Sequence, residues 1–113
     1  MKRLFIYDKQ VQAIIRELAI DEQQILQMEN EIMYGYGDVV PNTAGIKKIR
    51  CGITSRGKRG GIRILFADYP QVNKTYLLTA LQKNQRADFS QQELKILRQL
   101  KQQLDKLNEV HDE

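Results

Sequence analysis

The chain has 113 residues, of which 42% are apolar and 28% charged, a balance that suits one folded domain with a modest core and excludes a disordered chain. No apolar run approaches the ~20 residues of a bilayer-spanning helix, and the apolar stretch near the N-terminus is too short for a secretory signal, so a cytoplasmic location is expected. A single cysteine, Cys51, and a single histidine, His111, exclude an intrachain disulfide and a Cys/His zinc cluster, while a net charge of +4 points to anionic partners.

In chain order, residues 3–7 read as a short strand, after which Val11, Ile14, Ile15 and Leu18 recur at helical spacing and predict a helix over 9–19. Asp21 with Gln24 three positions on resembles a capping box, and Ile25, Met28, Ile32 and Met33 predict a second helix to about residue 34. Gly35, Gly37, Pro41, Asn42 and Gly45 then predict a loop over 35–45. From Ile46 the period becomes two. Ile49, Cys51 and Ile53 alternate with Lys48, Arg50 and Gly52, the signature of a strand with one buried and one wet face. A basic turn over 55–60 leads to a strand over 62–68, with Ile62, Ile64 and Phe66 on one side and Arg63, Leu65 and Ala67 on the other, which predicts a hairpin. Residues 74–82 predict a third strand, interior because both of its faces are apolar, to complete an antiparallel meander. Ser90 and Glu93 form a capping box that opens a final helix, and Leu94, Leu97, Leu100, Leu104 and Leu107 predict its core-facing stripe as far as about residue 108. The order β-α-α-β-β-β-α belongs to the α+β class.

Charge is distributed unevenly along this order. Residues 45–86 hold ten Lys and Arg against the single acid Asp68, a net of +9, whereas the rest of the chain holds eight against thirteen, a net of −5. Such a concentrated field attracts polyanions far more strongly than a scattered +4. Gly52 to Lys58 matches the spacing of a phosphate-binding loop, but Arg59 stands where Ser or Thr would hold magnesium and a strand follows instead of a helix, so nucleotide hydrolysis is rejected. Lys48, Arg50 and Arg63 are expected to converge on one open sheet face, where like charges repel unless an anion joins them. Cys51 reads as a small buried apolar residue, and Tyr34, Tyr36, Tyr69 and Tyr76 read as packing residues before base-stacking ones.

Four segments taken together resemble the RelE superfamily, and among its branches the HigB toxins: the run from Gly45 through Lys48 to Arg50, the run from Gly57 through Arg63 to Phe66, Tyr76 to Thr79, and Lys83 to Ser90. The resemblance implies a microbial-RNase-like fold, binding in the 30S ribosomal A site, cleavage of translated mRNA, and restraint by a cognate antitoxin, in this branch a HigA-like helix-turn-helix protein. It also implies chemistry that needs no metal or other cofactor: the 2′-hydroxyl attacks the adjacent phosphate and leaves a 2′,3′-cyclic phosphate and a 5′-hydroxyl. On this resemblance Arg63 stands at the scissile phosphate, Lys48 and Arg50 form the strand-borne basic pair, and Lys83 joins them. Lys47, Arg56, Lys58, Arg59 and Arg86 would then bind RNA or ribosome. Gln82 and Gln85 depart from the family's usual small residue and Glu, and Phe89-Ser90 stands where some relatives carry Tyr or His, which leaves the general base open between Lys48 and Asp88. A ParE-like inhibitor of gyrase and a noncatalytic RNA-binding module are the alternatives on the same fold.

Overall fold

A computed structural model describes residues 2–53, 61–82 and 88–109. Along them run β1 (Leu4–Tyr7), α1 (Lys9–Glu17), α2 (Glu22–Met33), β2 (Asp38–Val39), β3 (Lys47–Gly52), β4 (Gly61–Tyr69), β5 (Lys74–Gln82) and α3 (Gln91–Leu107). The five strands form one sheet in the order β1-β5-β4-β3-β2. Local chemistry sets the helix starts as expected. The Asp8 and Asp21 carboxylates accept the N–H groups of Gln10 and Gln24, and Ser90 and Glu93 close a reciprocal capping box at 3.1 and 2.7 Å.

Two features of the sheet differ from the sequence expectation. The sheet is mixed rather than antiparallel throughout, because β1 pairs in parallel with β5, Leu4 opposite Lys74 and Tyr7 opposite Leu77. After β1 the chain passes through both helices to the far edge and returns by the β3-β4-β5 meander, so its last strand meets its first running the same way. The expected loop also contains β2, whose Asp38 and Val39 pair with Lys48 and Lys47 and cover the β3 edge. Two residues are too few to show a period in sequence.

The helices cover the two faces of the sheet. Val11, Met28 and Ile32 of the first helix pair and Ile20 of the link between them pack on Cys51, Ile62, Ile64, Phe66 and Leu77. Leu97 and Leu104 of α3 pack on Ile46, Leu65, Ala67, Tyr69 and Leu78 of the other face. Leu78 reaches that face through a register shift, since Leu65 pairs with Thr79 but Phe66 with Leu77. The leucine stripe of α3 is only partly inward. Leu100 and Leu107 are exposed, and Lys101 and Asn108 occupy the buried positions instead, because 94, 97, 101, 104 and 108 keep strict three-four spacing while 100 and 107 fall one residue off it.

One glycine fixes how β2 approaches the core. Gly37 has φ +128°, and a Cβ there would stand 2.8 Å from Cζ of the buried Phe66. Gly37→Ala is expected to destabilise the protein by about 1 to 3 kcal/mol through overpacking and backbone strain. An unchanged melting curve for that variant would contradict this packing.

Candidate functional site

The central strand β4 is buried along most of its length, as an interior strand should be, yet it carries Arg63 half-buried among apolar neighbours. Arg50 of β3 stands directly opposite Arg63, and Lys48 lies two residues along β3, opposite Leu65, so the three cations share the face that α3 covers further along. Neither the Lys48 nor the Arg63 side chain has a hydrogen bond or ion pair to another described residue. Gly61 makes room for Arg50, whose Nε sits 3.3 Å from where a Cβ would be.

Two hollows adjoin this group. One, of about 290 Å³, is lined by Asp38, Lys48, Arg50, Gly61 and Arg63. The other, of about 210 Å³, shares Lys48 and Arg63 and continues toward Asp88 and Phe89 before α3. Asp88 accepts the Phe89 N–H at 2.8 Å and so is held at the rim. Fixed cations flanking a hollow, with carboxylates at its edge, bind a phosphate and stabilise charge that develops on it. The carboxylates also supply candidates for proton transfer.

Lys48, Arg50, Arg63 and Asp88 are thus brought together. Lys47 is not, because alternation sends it to the opposite face, across from Phe66 and beside Gly37. Lys83, Arg86, Arg56, Lys58 and Arg59 lie outside the described residues. Sequence reasoning missed Asp38, which lies in the two-residue strand; an acid between two loop glycines carried no signal of its partner. The single acid of the basic segment takes no part in the site. Asp68 is engaged by Arg3 at 2.7 Å and by the Thr75 hydroxyl at 2.6 Å, where β1, β5 and β4 meet.

Most tyrosines are structural. Tyr69 and Tyr76 stack edge to face at 5.9 Å, and their hydroxyls bond Asp105 and Asn108. Tyr7 donates to Glu29 at 2.5 Å, and its phenol is pushed far above the usual range by burial, with the Glu29 hydrogen bond and charge adding to it. Burial also pushes the Cys51 thiol up to about 11, which keeps it an inert packing group.

The wall of the second hollow is tied down by a buried lysine. Lys101 Nζ donates to the Ala44 carbonyl at 3.1 Å and to Asp105 at 2.7 Å, over the Tyr69 ring. Burial alone would raise the Asp105 carboxyl, but the Lys101 and Tyr69 hydrogen bonds more than offset it and hold the group below the usual carboxylate range. A depressed pKa gives stability that is present above the ordinary carboxylate pKa and lost as pH falls through the folded value. Asp105 is 45% exposed, so the effect is screened to about 1 kcal/mol or less. Asp105→Asn should therefore lower stability slightly at neutral pH and shrink its loss as pH falls through and below the ordinary carboxylate range; an acid-unfolding curve parallel to that of the unmodified protein would refute this.

Among the described residues no helix is long and apolar enough to cross a membrane. A family model described as the RelE toxin of the RelE/RelB toxin-antitoxin system matches residues 2–111.

Proposed function

Since the chain belongs to the RelE toxin family, whose members are generally endoribonucleases and whose activity implies an antitoxin partner, we propose that it is a ribosome-dependent mRNA endonuclease of the HigB-like branch. The observation that carries the proposal is the placement of Arg50 opposite Arg63, with Lys48 on the same face, lining one hollow.

In this reading the mRNA lies in the 30S A site with one phosphodiester across Lys48, Arg50 and Arg63. The 2′-oxygen attacks phosphorus, the bond from phosphorus to the 5′-oxygen breaks, and the products are a 2′,3′-cyclic phosphate and a 5′-hydroxyl. The 2′-hydroxyl proton passes to a base, for which Lys48, Asp88 and Asp38 are the nearby groups, and the leaving 5′-oxygen takes up a proton in turn. The phosphorane gains negative charge relative to the ground state, so fixed cations stabilise it preferentially. Strand placement of these side chains provides the rigidity such a site requires. The cations Lys47, Arg56, Lys58, Arg59 and Arg86 hold rRNA or mRNA backbone, Lys83 joins the phosphate group, and a HigA-like helix-turn-helix antitoxin restrains the toxin in the cytoplasm.

Mapping mRNA 5′ ends after brief induction tests the proposal. New 5′-hydroxyl ends confined to translated frames are expected; growth arrest with intact mRNA and damaged DNA would overturn it in favour of a gyrase inhibitor.

A further inference from the structure

The two hollows that share Lys48 and Arg63 differ in kind. The first is dominated by charge, as a phosphate requires, whereas the second is lined beyond its shared cations mainly by Val40, Pro41, Leu65, Phe89 and Leu94, with Asn42 and Gln91 among its polar residues. A phosphate has no use for apolar walls, and about 210 Å³ is below the ~300 Å³ at which drug-sized ligand pockets begin. One planar heterocycle matches both the size and the lining. Resting on the RNA-cleavage reading above, we propose that this second hollow is a base-recognition subsite, which takes the nucleobase adjoining the scissile phosphate and reads its edge with Asn42 and Gln91.

Each amide offers a donor and an acceptor side by side, the pairing that hydrogen-bonds to base edges, and unstacked RNA bases are recognised in this way between apolar or aromatic faces. The shared cations make the geometry continuous. A phosphate held by Lys48 and Arg63 leaves its neighbouring base at the mouth of the second hollow, where Asp88 stands.

Selectivity also needs walls that do not yield, and both are pinned. On one side the Thr43 side chain is fully buried. Its hydroxyl donates to the Val40 carbonyl at 2.7 Å and accepts the Ile46 N–H at 3.2 Å, while Lys101 holds Ala44. Asn42, at φ +64°, is thereby fixed in the left-handed conformation that asparagine tolerates. On the other side the Ser90–Glu93 capping box fixes the first turn of α3, which carries Gln91.

The test uses ribosomes carrying mRNAs that differ only in the bases flanking the cleaved bond, and reads single-turnover cleavage rates for the unmodified protein, Asn42→Gly and Gln91→Ala. Glycine keeps the left-handed backbone and both replaced side chains are exposed, so the variants should melt like the parent. The unmodified protein is expected to favour one base at a flanking position, and each variant to reduce that preference at least about 5-fold. Equal rates on all bases for the unmodified protein, or unchanged base ratios in both variants, would overturn the subsite. Weakened antitoxin binding with base ratios intact would overturn it too, by assigning the hollow to a protein partner. Failure of the unmodified protein to cleave any of these mRNAs would be a different result, and would remove the nuclease reading beneath it.

Discussion

Arg63→Ala is expected to slow cleavage of ribosome-bound mRNA about 10²- to 10³-fold, or roughly 2.7 to 4 kcal/mol of transition-state stabilisation, while the protein stays folded. Arg63 is half-buried in the central strand and faces Arg50 across the pair, so removing its guanidinium relieves a like-charge contact as it loses packing. The two effects on stability oppose each other. The catalytic effect has no such offset, because a shortened side chain cannot reach the phosphate. Arg63→Lys separates charge from geometry: it retains the charge without the planar fork and should fall between the parent and the alanine variant. Cleavage by Arg63→Ala at the parent rate would remove Arg63 from the chemistry.

Asp68→Ala should produce the largest loss of stability, about 3 kcal/mol or more, with a melting temperature lower by roughly 10 °C. The Arg3 and Asp68 side chains are only 11% and 16% exposed, and Arg3 Nε already has no partner, so truncating the acid leaves a buried guanidinium with the Thr75 hydroxyl in place of a counter-charge. Removing both partners, as in Arg3→Met with Asp68→Leu, should recover much of the loss, since an apolar pair of similar size avoids the desolvation of two charges. Ribosome affinity per folded molecule should not change. A stable Asp68→Ala variant with raised RNA affinity would instead place Asp68 among the cations that it accompanies in sequence.

That contrast marks the limit of what could be read from the chain. Strands β3 and β4 were legible because period-two alternation is a local signal, and it placed Lys48, Arg50 and Arg63 on one face. The same alternation puts Lys47 on the other face, apart from these three although it is their neighbour in sequence. Asp68 has its partner 65 residues away, and no local pattern reports such a contact. Lys101 reads as a solvated helix residue until three-four spacing shows that it, and not Leu100, faces inward. Asp38 became visible only through the pairing of β2 with β3. Local periodicity thus disclosed the cations, whereas Asp38 beside them came from long-range pairing.

Central to this account is cation-stabilised attack by the mRNA's own 2′-hydroxyl, which one substitution isolates. An mRNA carrying a single 2′-deoxynucleotide on the 5′ side of the preferred cleavage site should bind the toxin–ribosome complex normally and lose cleavage at that bond. Cleavage of the deoxy-substituted bond at an unaltered rate would contradict the account.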